Sequence, residues 1–337
     1  MKSIESFDAL SQKLNEAEEM QATSDDAFRQ SLSSWRLSPM LFGKAPPDPF
    51  SPEYRSFQLG MYERLANKAY DVANEQTLFD FDSALQRPYP YGTKSAQTVG
   101  KHLVDYGWLI QKMNLPQGSR ILDIGSGYGS LTLHLAQMGY RVTCLDISAE
   151  LLNFVLARTA HLPEPVKIIC GDMATVQIEG EYDAVIFNAS LHHSLEHRAV
   201  LERMDYLLAV DGIMAFAAEP ILPNNSEFVP YPWGLRLNGL SIWAIVKSGW
   251  MELGFQESYF TQLLQDVGWK PSRHLLGLSA QSDVWTATRA NGRVSSSTIA
   301  SAILNYDTDL ESGINSMVRK GGGLLRRNFI TRWLQRP

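Results

Sequence analysis

Cysteine is nearly absent: the 337-residue chain carries two, Cys144 and Cys170. Two cysteines exclude a disulfide scaffold, and no Cys/His spacing matches a zinc site. Both lie inside apolar runs and are expected as buried free thiols. No run approaches the ~20 apolar residues of a membrane span. The opening residues, Met1-Lys-Ser-Ile-Glu-Ser-Phe-Asp8, lack the long apolar core of a secretory signal. A soluble, cytoplasmic protein is expected. An excess of basic residues is also missing. The net charge is −6, which gives no electrostatic reason to bind nucleic acid. The 45% hydrophobic content is ordinary for a globular protein. The length allows one large domain with additions, or two.

The most informative stretch is Ile121-Leu-Asp-Ile-Gly-Ser-Gly-Tyr-Gly129. A short apolar run is followed by glycines at 125, 127 and 129. An apolar helix pattern (Leu131, Leu135, Met138) then runs to Gly139. The pattern predicts a buried strand, a tight turn and a helix. Glycine is needed where the backbone takes positive φ or lies against a ligand. A nucleotide-like ligand over the end of the first strand of an α/β sheet is therefore expected. The dinucleotide fingerprint wants glycine or alanine where this chain has Ser130.

Polar groups recur at the ends of the following apolar runs. Arg141-Val-Thr-Cys-Leu-Asp146 predicts a second strand ending in a carboxylate. Such a group can accept hydrogen bonds from ribose hydroxyls. Capping the helix that Ser148 opens is the structural alternative. A third strand, Val166–Cys170, runs into Gly171-Asp172-Met173, where Asp172 could be an ordinary turn residue. A fourth, Tyr182–Phe187, ends in Asn188-Ala-Ser-Leu-His-His193. Asp183 reads as structural, at the strand entrance.

These segments resemble the class I S-adenosylmethionine-dependent methyltransferases. The matching residues are Leu122–Gly129, Leu145-Asp146, Gly171-Asp172-Met173, Tyr182–Asn188 and Leu207–Ala218. They cover roughly residues 97–290. The resemblance implies an α/β, Rossmann-like seven-stranded sheet with helices on both faces and an antiparallel edge. The cofactor would be S-adenosyl-L-methionine, leaving as S-adenosyl-L-homocysteine. Gly125, Gly127 and Gly129 would approach its methionyl part, with Asp123 beneath. Asp146 would hold the ribose, with Ile147 beside it. Asp172 would face the adenine amino group, Met173 its ring, and Asn188 the sulfonium end.

Three additions surround the expected 96–290 domain. Residues 1–95 look mainly helical. Ile4, Phe7, Leu10 and Leu14 mark one stripe, and Ser51-Pro-Glu53 starts a helix expected to reach the 70s. The extension ends in Arg87-Pro-Tyr-Pro-Tyr-Gly92. By resemblance its Tyr89 and Tyr91 are lid candidates, with packing on the N-terminal helices as the alternative. The second addition, residues 219–255, overhangs the expected acceptor position. Its Trp233 and Arg236, with Asn224, Asn225 and Glu219, would suit a sugar. Trp243 and Trp250 read as the core of the insert. The third, residues 291–337, carries six Lys or Arg and no acid over 319–337. It could dock on an anionic membrane or a glycosyltransferase partner, or pack on itself.

An alcohol acceptor has a high pKa, so a base that takes its proton helps methyl transfer. His192, His193 and Glu219 follow the fourth and fifth strands and are the catalytic candidates. Adjacent histidines point apart, so one is expected to face the acceptor, with His192 slightly favoured. Capping the next helix is the structural alternative for the pair. No acidic cluster marks a metal site. The Arg-Pro-Tyr-Pro-Tyr loop, Leu191-His-His193, Ala218-Glu-Pro-Ile221 and Pro232-Trp-Gly-Leu-Arg-Leu237 resemble methyltransferases that accompany bacterial glycosyltransferases. That resemblance implies O-methylation of a surface glycan or its precursor. A non-sugar acceptor (quinone, polyketide or lipid) and a non-catalytic binding module are the alternatives.

Overall fold

The computed structural model describes residues 1–21, 24–87, 96–277 and 282–290. The Tyr89/Tyr91 loop and the basic tail lie outside the described residues. The N-terminal part contains β1 (Lys2–Ile4), α1 (Phe7–Gln21), α2 (Asp25–Ser33), β2 (Trp35–Leu37), α3 (Pro52–Ala66) and α4 (Phe81–Leu85). The core follows with α5 (Ala96–Met113), β3 (Arg120–Ile124), α6 (Ser130–Gln137), β4 (Arg141–Asp146), α7 (Ala149–Thr159), β5 (Lys167–Cys170), β6 (Tyr182–Asn188), α8 (His197–Leu207) and β7 (Leu208–Ala217). The insert supplies β8 (Ile221–Leu222), β9 (Trp233–Leu235), α9 (Gly239–Lys247) and β10 (Leu253–Gln256). Last come α10 (Glu257–Asp266), β11 (Trp269–His274) and β12 (Val284–Arg289).

Seven strands form one sheet in the order β11-β12-β7-β6-β3-β4-β5. β3 to β7 are parallel, while β12 pairs antiparallel with β7 and β11 antiparallel with β12. This is the Rossmann-like seven-stranded sheet that the resemblance implied. Successive strand residues face opposite sides. Ile121, Cys144, Ala184 and Ile186 enter a core with Leu109, Leu135 and Leu152 from α5, α6 and α7. Leu122, Leu145, Val185 and Phe187 enter the other, with Val200 and Met204 of α8 and Phe260 of α10. The near-continuous apolar runs of β3 and β6 are what burial on both faces requires. β5 is an edge strand and Cys170 is exposed; only Cys144 is the buried thiol expected of both. Asp183 is a strut: its carboxylate accepts from the Arg120 backbone N–H at 2.7 Å and from its guanidinium at 2.8 Å. Arg120 holds that carboxyl below its usual range.

The N-terminal part and the insert share one hydrophobic core. Leu14, Leu32, Trp35 and Tyr62 pack in the same cluster as Trp233, Ile242 and Phe255. Backbone ties support it: Leu37 N–H donates to the Leu237 carbonyl at 2.7 Å. The Tyr54 hydroxyl donates to the Trp233 carbonyl at 2.7 Å, and Tyr62 to that of Gly249 at 2.6 Å. Ser51 caps α3 by accepting from Tyr54 N–H, as the Ser-Pro-Glu signal implies. The helix stops at Ala66, short of the 70s, because Asn67 turns left-handed at φ 52°. A separate short 3-10 turn, Val72–Glu75, then begins at Asp71, whose carboxylate accepts from Ala73 N–H at 2.8 Å. Stopping α3 there is what brings residues 70–77 back over the sheet ends. Ile4 belongs to β1 rather than to the α1 stripe.

Candidate active site

One cavity of about 650 Å³ opens over the carboxyl ends of β3, β4, β5 and β6. Gly125, Gly127, Asp146, Ile147, Asp172, Met173 and Asn188 line it. Gly125 sits at φ +69°, and a Cβ there would stand 2.4 Å from the Ser190 Cβ. Glycine therefore lets the turn pass under the loop after β6. Gly127 N–H donates to Asp146 Oδ2 at 2.8 Å, and Ser148 N–H to Oδ1 at 2.9 Å. Asp146 thus both steadies the α7 start and faces the cavity. Burial raises its carboxyl despite those N–H groups. Asp172 also combines two jobs, accepting from Ala174 N–H at 3.0 Å while lining the cavity.

Asp123 and Gly129 lie behind the lining. Asp123 is 2% exposed and accepts from Thr132 Oγ1 at 2.6 Å. Burial, with the Asp146 charge added, pushes its carboxyl up to about 6. Gly129 forms the left-handed start of α6, tight against Val155.

The catalytic candidates separate. Glu219 is buried and accepts from Ser190 N–H at 2.7 Å, Leu191 N–H at 2.8 Å and His192 N–H at 3.2 Å. His192 Nδ1 lies 2.8 Å from Glu219 Oε2. Burial, with His193 adjacent, pushes His192 down to about 3, so it is neutral and donates Nδ1–H to the carboxylate. Burial alone would raise Glu219, but the His192 contact and the Ser190 and Leu191 N–H groups hold it lower. Neither residue lines the cavity. The preference for His192 is therefore corrected: Glu219 and His192 shape the loop after β6, and His193 is the histidine in the cavity wall.

The insert residues also exchange roles. Trp233 is buried; its Nε1–H donates to the Pro49 carbonyl at 2.7 Å, and its ring packs on Tyr54 and His197. Arg236 is buried and pairs with Glu252. Burial lowers Arg236 to about 10, so it stays charged at neutral pH. Both belong to the packing of the insert, not to the cavity lining. Trp250, read from sequence as core, lines the cavity instead, edge-on to His193 with ring centroids 5.9 Å apart. Trp243 does pack internally, against Phe28.

The N-terminal part supplies the wall that sequence reasoning missed: Arg55, Leu59, Tyr70, Val72, Glu75 and Thr77. Asp71 is itself an N-cap signal, but it was hidden inside a helix expected to continue. Glu75 Oε2 lies 3.1 Å from His193 Nδ1. The ring N–H is not aimed along that line, so alignment takes a rotation of the imidazole. Among the described residues, His192, His193 and Glu252 bring potential ligand atoms within 4.8 Å of one another. The Arg236 guanidinium already occupies the Glu252 carboxylate, and its charge opposes a cation. We read that cluster as paired packing.

The sheet order, the glycine turn and the acidic strand ends define a Rossmann-like domain with a nucleotide-type cavity. Residues 122–216, from β3 into β7, match the methyltransferase domain family. An uncharacterized methyltransferase of Mycobacterium bovis is 33% identical over 114 residues, 33% of this chain and 56% of that protein. The sarcosine/dimethylglycine N-methyltransferase of Aphanothece halophytica is 26% identical over 161 residues, 47% of this chain and 54% of that protein. The chain spans about half the length of these curated relatives. Among solved structures, an S-adenosylmethionine-bound amino pentose methyltransferase from Micromonospora echinaspora aligns with a TM-score of 0.42 at 17% identity. That alignment covers 64% of this chain and 99% of that one.

Residues 122–216 therefore match a methyltransferase domain, for which S-adenosylmethionine is the expected cofactor. The residues present fit that molecule. Asp146 gives each oxygen to one backbone N–H and keeps further lone pairs for ribose hydroxyls. The Ser190 hydroxyl, buried at the cavity edge, has no partner among the described residues and can meet a polar ligand group.

Proposed function

We propose that the protein is an S-adenosylmethionine-dependent methyltransferase that O-methylates a sugar hydroxyl of a bacterial surface glycan or its precursor. The observation that carries this reading is the second half of the cavity. Beside the cofactor residues, His193 shares a wall with the rings of Tyr70 and Trp250 and the polar groups of Arg55, Thr77 and Glu196. Ring faces suit the C–H face of a sugar, and the polar groups suit its hydroxyls. Glu219 and His192 hold the loop that presents His193. Asp146, Asp172 and the glycine turn would hold the cofactor, which supplies an electrophilic methyl group when bound. His193 takes the proton from the acceptor hydroxyl as its oxygen attacks. The basic tail, residues 319–337, is the segment we assign to an anionic membrane surface or a glycosyltransferase partner.

Leu59, Val72 and Trp250 also favour a second acceptor class, a flat apolar alcohol such as a quinone. A screen with labelled cofactor against sugar nucleotides, oligosaccharides and aromatic alcohols separates the two. Transfer to a sugar is expected; activity confined to phenols or quinones overturns the sugar reading. Calorimetry with S-adenosylhomocysteine tests the enzyme itself. Binding is expected, with loss of about 100-fold or more in Asp146→Ala, which removes charge-assisted bonds to two hydroxyls. No binding by the parent chain would rule the enzyme out and leave a non-catalytic module.

A further inference from the structure

Glu75 is separated from His193 by more than a hundred residues, yet it meets the imidazole inside the cavity. Its side chain is 10% exposed. The two carboxylate oxygens have different neighbours. Oε1 accepts the Met251 N–H at 2.6 Å, which anchors the group to the insert. Oε2 lies 3.1 Å from His193 Nδ1, and the Tyr70 hydroxyl is also within reach of the carboxylate. The Tyr70 hydroxyl donates to the His193 carbonyl at 3.4 Å, so the same N-terminal segment also touches the backbone of that residue. Burial and the Glu75 charge both raise the Tyr70 phenol, which therefore stays protonated.

We infer that Glu75 is a positioning residue for His193. This rests on the reading above that His193 is the base. An imidazole acts as a base through one nitrogen only when the other carries the proton. A carboxylate at Nδ1 selects the Nδ1–H tautomer, leaves Nε2 unprotonated, and stabilises the imidazolium once formed. The proton balance is closed. The acceptor O–H proton goes to Nε2, the oxygen forms the new bond to the methyl carbon, and the S–C pair stays on the sulfur of S-adenosylhomocysteine. The imidazolium afterwards releases its proton to water. Hydrogen bonds of this kind are often poorly aligned before the substrate complex forms, which fits the off-line N–H. The 70–77 segment is then part of the catalytic apparatus, not an accessory to the 96–290 domain.

The test uses the full chain with 15N-labelled histidine. Long-range 1H–15N spectra distinguish the two tautomers, and the seven histidines are resolved by comparison with H193Q. In the parent, His193 is expected as Nδ1–H. In E75Q the amide can turn its NH2 toward Nδ1 while its oxygen keeps the Met251 bond, so the tautomer inverts to Nε2–H. S-adenosylhomocysteine affinity, read by calorimetry, is expected to stay within about twofold. With an acceptor found in the screen, E75Q is expected to lower kcat by about 100-fold, in the range of a general base. It should add nothing in the H193Q background. An Nε2–H parent tautomer, or an equal loss of kcat from E75Q with and without H193, overturns the inference. If H193Q keeps full activity, the base assignment fails instead. The tautomer result still reports on Glu75 by itself.

Discussion

The Arg203 guanidinium, projecting from α8, donates to the Met173 carbonyl at 2.8 Å and also bonds the Val176 carbonyl. It clamps from behind the turn that brings Asp172 and Met173 to the cavity. Hydrogen bonds to a charged group contribute about 1.5–3 kcal/mol each. Arg203→Met is expected to raise the Kd for S-adenosylhomocysteine about 10-fold, because the turn must then be ordered by the ligand itself. Calorimetry reads this directly. An unchanged Kd would show that the Asp172 bonds to Ala174 and Thr175 suffice.

Gly125→Ala combines two penalties. The residue would keep a left-handed φ of +69°, and its Cβ would meet the Ser190 Cβ at 2.4 Å. Left-handed backbone costs a non-glycine about 1–3 kcal/mol, and overpacking costs about 1–3 kcal/mol more. Urea denaturation should show a loss of that size together with weakened cofactor binding. A variant as stable as the parent would mean that the loop after β6 shifts freely. That would contradict its anchoring by Glu219.

The candidate cofactor half of the cavity was legible to the extent that its lining residues sit at strand ends. Strand ends follow from apolar runs, and one parallel sheet gathers them on one edge. The acceptor half was not, because it is assembled from residues distant in sequence. Glu75, Tyr70 and Arg55 meet His193 only because α3 stops at Asn67, and a single left-handed residue is a weak signal inside a helical pattern. Trp233 and Trp250 exchanged roles for a similar reason. Both are apolar with one N–H donor, and only tertiary packing decides that Trp233 finds Pro49 while Trp250 faces the cavity. Of the adjacent pair His192 and His193, composition cannot say which is buried. Glu219 decides it by drawing His192 inward.

Trp250 supplies a ring face beside His193 and does not hold the cofactor strands. Trp250→Ala is expected to raise the acceptor KM about 10-fold, the loss of roughly 1.4 kcal/mol of stacking. The S-adenosylhomocysteine Kd should stay within about twofold. If both constants rise together, the ring supports the whole cavity rather than the acceptor. Steady-state kinetics with calorimetry separates the two results.

His197 makes stability depend on pH. The residue is 2% exposed, its Nε2 is 2.8 Å from the Tyr259 hydroxyl, and its ring packs on Trp233 and Phe255. Burial pushes it down from 6.5 to about 4. Between those two values the unfolded chain binds a proton that the folded chain refuses. Stability from this group is therefore complete above about pH 6.5 and falls as pH drops toward 4, by about 1.4 kcal/mol per unit. His192, pushed down to about 3, acts in the same direction. Asp123, pushed up to about 6, acts oppositely. There the folded chain keeps a proton that the unfolded chain releases, so its contribution declines as pH rises from about 4 to 6. The overlap makes the parent curve hard to apportion, but a variant isolates one group. His197→Phe keeps the ring stack and removes the titration. Urea denaturation at pH 7, 6 and 5 should show the parent losing about 2 kcal/mol more than the variant between pH 7 and 5. Parallel curves would mean that His197 takes up its proton without unfolding, which its enclosure by Trp233, Phe255 and Tyr259 should prevent.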